Sequence, residues 1–373
     1  MKKIKVMHFV SGLVSGGVEE MLYNYCQFMD RNKYEFIIVY QHEPVPVCKE
    51  KFDSLGIKCI RAVSRKTSII KNIKSYIKII DIEKPDIIHT HMNLANFCAL
   101  FAGKICDVKI RISHSHIAEH PHSIIQKCIY GVCKMLCKLF ATELLSCGDD
   151  AGEFLYGRKA MERGKVKIIP NAIDLYKFSP DMELRNKTRY KYNLDNKFVV
   201  GHVGRFTEQK NHLRLLKIFC GIVKEKTNSV LVLIGTGELE EKVKSETEKL
   251  KIADKVVFFG TTSQMHEMYN AMDVFVLPSL YEGYPVVSTE VQAAELPAVF
   301  SDNIDKTCKL TKYIEFLSLN DDDEKWVKTI LTNSVNRSTG DNQILFEKLD
   351  IRSAQSKLDE LYSKYISEVE SKT

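Results

Sequence analysis

The chain has no run of about 20 uncharged apolar residues, the length a helix needs to cross a bilayer, so no membrane span is expected. It has a single tryptophan, no internal repeat and no low-complexity segment, which sets aside repeat arrays and disordered tracts. None of its 11 cysteines falls in a paired spacing, so reduced thiols in a cytoplasmic protein are expected rather than a disulfide framework. Cys128, Cys133 and Cys137 do cluster, but at i, i+5 and i+9 of a helical pattern, which reads as packing and not as a metal site. Met1-Lys2-Lys3 carries the charge of a secretory leader. The apolar run behind it is too short and soon meets Ser11, Gly12, Ser15, Gly16 and Gly17, so a first β-strand is expected there instead.

What is present is a chain of 373 residues, 45% hydrophobic and 27% charged, which is long enough for two globular domains. The net charge of +6 is unevenly spread. Residues 1–180 hold 27 Lys/Arg against 18 Asp/Glu, a balance of +9, and residues 181–373 hold 27 against 30, a balance of −3. The basic first half suits an acidic partner: an anionic lipid surface or a phosphorylated acceptor, ahead of nucleic acid.

Short β-branched runs at 3–11, 35–41, 57–62, 86–91, 110–115, 143–148 and 166–171 alternate with helical patterns such as Glu19–Asp30 and Ile69–Ile82. A second series follows at 197–205, 229–236, 255–260, 274–278 and 297–301. This alternation predicts an α/β fold: two tandem Rossmann-like, doubly wound domains facing across a cleft. The first spans residues 1–180 and the second 181–345, with the polar stretch up to about 195 as the linker. Residues 346–373 form a C-terminal helix expected to pack on the first domain; Ala354, Leu358, Leu361, Tyr362 and Tyr365 share one helical face. Ligands of such sheets lie beyond the carboxyl ends of the strands.

Four loops fall at those ends. Ser11 to Glu19 contains Gly16-Gly17 between a strand and a helix, where a glycine backbone can approach a phosphate or sugar, or simply make a tight turn. Gly204 to His212 carries Arg205 and Lys210, a planar fork and a point charge suited to one diphosphate. Gly235-Thr236-Gly237 is a further candidate for close approach, or an ordinary turn. Pro278 to Glu290 places Glu282 in a loop and Glu290 in the second turn of the following helix, two carboxylates able to accept hydrogen bonds from sugar hydroxyls.

The pattern Pro-Ser-x-x-Glu-Gly-Tyr-Pro with Glu-x7-Glu at 278–290 resembles the signature of the retaining glycosyltransferases of family 4, which have the glycosyltransferase B fold. The likeness runs from Phe9 to about Ser301. It includes Gly16-Gly17-Val18-Glu19, Ile169-Pro170-Asn171-x-Ile173-Asp174, Gly204-Arg205 with Gln209-Lys210-Asn211, and Asp273 to Ser279. Bacterial capsular and exopolysaccharide enzymes are especially similar. The resemblance implies transfer of a hexose or N-acetylhexosamine from a nucleoside diphosphate sugar, expected to be a UDP-sugar, to a growing glycan or polyprenyl-linked acceptor. It makes the first domain the acceptor side and the second the donor side. It further implies that Arg205 and Lys210 hold the diphosphate, Glu290 the ribose and Glu282 the transferred sugar. Gly16, Gly17, Gly235 and Gly237 would lie close to the donor. His116 matches the family histidine beside the sugar, with His114 as the competing assignment. No metal or other cofactor is implied, so neither Asp321-Asp322-Asp323 nor the run His114, His116, His120, His122 is expected to bind one.

Two departures stand out. Glu295 occupies a position where the family has glycine, and the usual glycine-rich segment after Ser301 is missing. An epimerase of the same fold, or a non-catalytic partner of an active transferase, are the alternatives. In residues 124–140, Lys127, Gly131, Lys134 and Lys138 form one polar stripe on an apolar helix. Such a helix can lie in a membrane interface at the inner face, or pack on its own sheet.

Overall fold

The computed structural model describes residues 3–14, 16–119, 121, 123–334 and 343–371; His120 and His122 lie outside them. The chain forms two compact units, Met1–Ala172 with Ile351–Thr373, and Ile173–Asp350.

Unit 1 is a seven-stranded sheet built from β1 (Ile4–Phe9), β2 (Tyr34–Tyr40), β3 (Lys58–Arg61), β4 (Ile87–Thr90), β5 (Ile110–Ser115), β6 (Glu143–Ser146) and β7 (Val166–Ile168). The order is β3-β2-β1-β4-β5-β6-β7 and every pairing is parallel. Its central strands are covered on both faces, which explains near-continuous apolar runs such as Tyr34–Tyr40, where Glu35 alone is exposed. The helix Ile351–Glu370 belongs to this unit. Its Ile351, Ala354, Leu358, Tyr362 and Tyr365 join the core formed by β1, β2 and the helix Gly17–Phe28, and Lys33 Nζ meets Asp359 Oδ1 at 2.7 Å.

Unit 2 is a six-stranded parallel sheet of β8 (Phe198–Val203), β9 (Ser229–Ile234), β10 (Val256–Gly260), β11 (Val274–Leu277), β12 (Ala298–Ser301) and β13 (Ile314–Leu317), in the order β10-β9-β8-β11-β12-β13. In each sheet the winding reverses once, beside β1 and beside β8, and the crevice for ligands opens at such a reversal.

The units meet the chain at Ala172–Ile173 and Asp350–Ile351, where the sequence places boundaries at 180–181 and 345–346. Tyr25 OH donates to the Pro170 carbonyl (2.9 Å) and Asn24 Nδ2 to that of Ala172 (3.2 Å), so the chain stays bound to unit 1 up to this point. Beyond it, Ile173 bridges to Asp350.

Two sequence expectations are corrected. The polar stretch up to 195 is no linker but contains the helix Met182–Lys191, capped by Asp181. Its Arg185 and Arg189 turn inward onto Asp273 (2.5 and 3.2 Å), which ties this helix to unit 2. The second sheet also continues past residue 301 into β13, whose Ile-Glu-Phe-Leu run follows a polar stretch and keeps Glu315 exposed.

Candidate active site

In unit 2 two loops at the carboxyl ends of β8 and β11 are laced together. Asn211, in the left-handed region at φ 55°, sends its Nδ2 to the Pro278 carbonyl (3.1 Å). The Leu280 amide donates to the Gln209 carbonyl (2.8 Å), and Gln209 Nε2 donates to the carbonyl of Tyr281 (3.0 Å). Within this lacing Lys210 Nζ meets Glu282 Oε1 at 2.5 Å, with both side chains largely withdrawn from solvent. Ser279 Oγ donates to the same oxygen (3.0 Å) and Gln209 Nε2 to the other (3.3 Å). The sequence places Lys210 and Glu282 in one site but gives no sign that they bind one another. Arg205 is exposed on the first of these loops.

Glu290 sits buried in the helix Val286–Ala293 and accepts from Tyr269 OH at 2.6 Å. Tyr269 was not singled out by sequence; its position in the helix Met265–Ala271 gives no motif. The helix Val286–Ala293 thus carries the second carboxylate, and the loop before it the first.

Gly235 and Gly237 act on the β8 loop. A β-carbon at Gly235, whose φ is +142°, would stand 2.1 Å from the Gly204 carbonyl oxygen, and one at Gly237 would stand 2.6 Å from that of Phe206. Their bareness lets the β9 loop press against the backbone that carries Arg205, so these two glycines shape the site through that loop.

In unit 1, Gly16 precedes the helix Gly17–Phe28 in extended backbone without a side-chain cap, and Gly17 is exposed. Beside this loop, at the ends of β1, β4 and β5, five buried histidines form two hydrogen-bonded rows. One runs His8 Nδ1···Nε2 His91 (3.0 Å) and His91 Nδ1···Nε2 His116 (2.9 Å). The other runs from Tyr362 OH to His89 Nδ1 (2.6 Å) and from His89 Nε2 to His114 Nδ1 (3.1 Å). The His114 and His116 rings stack at 4.2 Å. Burial lowers every one of these histidines: His116 falls to about 4, with Asn171 beside it acting in the opposite direction, and His8 falls to about 3. At neutral pH His116 is therefore an uncharged hydrogen-bonding group. His8 on β1 belongs to no motif; His89 on β4 and His91 just past it share a His-x-His spacing that is repeated at 114–116 and is the signal for these two.

Ring nitrogens of His8, His89 and His91, and of His91, His114 and His116, lie within 4.8 Å of one another, close enough to hold a metal ion. The bonded N···N separations within these sets, 2.9 and 3.0 Å, are those of hydrogen bonds, tighter than the roughly 3.3 Å edge of a tetrahedral site with Zn–N near 2.0–2.1 Å. Asp321, Asp322 and Asp323 are each engaged locally: Asp321 with Lys325 (2.9 Å), Asp322 as the cap of the helix Asp323–Asn333, and Asp323 with Arg214 (2.6 Å). All 11 cysteines are free thiols. Glu295 adopts φ 49°, the left-handed backbone that glycine takes without strain.

Comparison with known proteins follows the same division. The profile described as Glycosyltransferase Family 4 matches residues 15–177, and that described as Glycosyl transferases group 1 matches residues 185–332. The glycosyltransferase EpsF of Bacillus subtilis is 32% identical over 87% of this chain and 86% of its own length. The Escherichia coli UDP-Gal:alpha-D-GlcNAc-diphosphoundecaprenol alpha-1,3-galactosyltransferase is 26% identical, covering 86% of each chain. Among solved structures, Anabaena HepE in complex with UDP-glucose superposes with a TM-score of 0.78 at 16% identity, over 96% of this chain and 99% of that one. Two doubly wound units, the laced Glu-x7-Glu loops and these likenesses agree: the chain belongs to the family 4 glycosyltransferases and has the glycosyltransferase B fold.

Proposed function

We propose that the protein transfers a hexose or N-acetylhexosamine from a UDP-sugar to a growing glycan or lipid-linked acceptor in the assembly of a capsule or exopolysaccharide, with retention at the anomeric carbon. The observation that carries this reading is the cluster of Arg205, Lys210 and Glu282 on two laced loops at one sheet edge. UDP-sugar use by the E. coli relative and UDP-glucose in HepE support the choice of donor.

In this reading Arg205 and Lys210 bind the diphosphate and stabilise the charge that grows on it as the bond to C1 breaks. The acceptor oxygen bonds to C1 on the same face. Its proton passes to the departing phosphate oxygen, which keeps the electron pair, so no enzymic nucleophile and no metal ion is used. Glu290, held by Tyr269, accepts from the ribose hydroxyls, and Glu282 from the transferred sugar. His116 supplies a neutral hydrogen bond to the sugar.

Work at the inner membrane face is part of the same reading. No helix among the described residues is long and apolar enough to cross a membrane. In the helix Ile124–Phe140, however, Ile124, Ile125, Ile129, Val132, Met135 and Leu139 are all more than half exposed, at 53–83%. An apolar face flanked by Lys127, Lys134 and Lys138 suits the interface of an anionic bilayer.

A thermal-shift screen against a panel of sugar nucleotides tests the function. Ligand at 100 times its Kd should stabilise the folded chain by about 2.7 kcal/mol; a UDP-sugar is expected to give the largest shift, and a panel without any shift would refute donor binding.

A further inference from the structure

One basic cluster in unit 1 has no part in the site above. It lies at the carboxyl edge of β2 and β3, next to the Gly16-Gly17 loop. The Gln41 amide donates to the Ser11 carbonyl (3.2 Å) and the Val45 amide to that of Leu13 (2.8 Å), so the segment after β2 runs along that loop. A β-carbon on Gly12 would stand 3.5 Å from that of His42. The next segment is tied in turn to this one, because the Arg65 amide donates to Gln41 Oε1 (2.9 Å).

Four basic side chains converge here. Arg61 ends β3 and pairs with Glu43, so its charge is partly answered. Arg65 is half-buried, and its Nη1 is shut off from water with no hydrogen-bond partner among the described residues. Lys66 is exposed. His42 feels all three cations: burial first, then Lys66, Arg65 and Arg61, lower its pKa. The helix Ile69–Glu83 begins immediately afterwards, capped by the Ser68 side chain. A charged nitrogen withdrawn from water beside three other basic groups is what an oxyanion would satisfy. The rim is apolar, with Val63, Ile69 and Ile70 at 39%, 52% and 69% exposure. Cations beside an exposed apolar rim match a ligand with an anionic head and a greasy tail.

We propose that Arg65 and Lys66, with His42 and Arg61 at the margin, bind the diphosphate of a lipid-linked acceptor, whose first apolar units lie on Val63, Ile69 and Ile70. The proposal rests on the reading of the protein as a transferase with an anionic, lipid-linked acceptor, and it names the residues of unit 1 that receive it.

Calorimetry on the full chain tests it with inorganic pyrophosphate, farnesyl diphosphate and UDP as probes. Wild type should bind farnesyl diphosphate more tightly than pyrophosphate. Arg65→Ala and Lys66→Glu should each weaken farnesyl diphosphate by about tenfold or more while leaving UDP affinity unchanged. Lys210→Ala should do the reverse. Lys66 is exposed, so its variant folds even if Arg65→Ala does not; a thermal melt checks both. Farnesyl diphosphate binding that survives both substitutions would overturn the site, and equal affinity for farnesyl diphosphate and pyrophosphate would overturn its lipid-linked ligand. Loss of UDP binding in wild type, with the Arg65 effect intact, would instead strike the donor reading and leave this site standing.

Discussion

Lys210 and Glu282, 72 residues apart in the chain, are joined by a 2.5 Å ion pair at the edge of the second sheet. The cation assigned to the diphosphate is thus held by the carboxylate assigned to the sugar. Glu282 aims Lys210 and also competes for it. Lys210→Ala should weaken nucleoside diphosphate binding by about 1.5–3 kcal/mol, the range for a hydrogen bond to a charged group. Glu282→Gln should leave that affinity intact or raise it, because the lysine is released, while transfer falls roughly 10²-fold. Calorimetry with UDP and a transfer assay on both variants separate the two effects. Equal loss of UDP affinity in both would show that the pair binds the nucleotide as a unit.

Glu290 and Tyr269 make a second pair of a different kind. Both donor and product contain ribose, so Glu290→Gln should weaken UDP-sugar and UDP alike and raise KM more than it lowers kcat. Tyr269→Phe should give a weaker version of the same result, because it removes the 2.6 Å bond that orients Glu290. A fall in kcat with KM unchanged in either variant would contradict ribose binding.

Much of this was legible in the sequence, and the reasons differ by residue. Twelve strands show, the central ones because buried parallel strands are apolar almost throughout, as in Tyr34–Tyr40. The thirteenth, Ile314–Leu317, keeps an exposed glutamate and follows the polar stretch Asp302 to Lys312. Arg205, Lys210, Glu282 and Glu290 stand out because their loops combine charge with Gly and Pro at strand ends. What could not be read are pairings across the chain. Nothing local to Tyr362 announces a bond to His89, 273 residues away, nor anything local to Arg185 a bond to Asp273. Glu295 is the reverse case: its φ of 49° could be anticipated from the glycine it replaces.

The histidine rows make stability depend on pH. Unfolded, a histidine takes up its proton near pH 6.5; folded, His116 does so at about 4 and His8 at about 3. The unfolded chain therefore binds more protons throughout that window, so stability is full above pH 6.5 and is lost as pH falls, by about 1.4 kcal/mol per pH unit for each such histidine. Urea unfolding at pH 7 and pH 5 should show a marked drop. A flat profile would mean that the folded state protonates these rings without difficulty.

Vesicle sedimentation tests the apolar face of the helix Ile124–Phe140. Binding to anionic vesicles should weaken between 0.1 M and 1 M salt, as the Debye length shortens from about 10 Å to 3 Å. Replacing Lys127, Lys134 and Lys138 by Gln should imitate high salt, and Ile125→Asn with Ile129→Asn should abolish the residual binding. Failure of the wild type to sediment with vesicles at low salt would rule out this face as a membrane contact.

The most direct test of retaining transfer is the anomeric configuration of the product, followed by NMR from the first turnover. Purified protein, a UDP-α-sugar selected by thermal shift and a lipid-linked acceptor should release UDP only when acceptor is present and should give an α-linked product, with both signals lost in Arg205→Ala. A β-linked product, or UDP release that needs no acceptor, would contradict it.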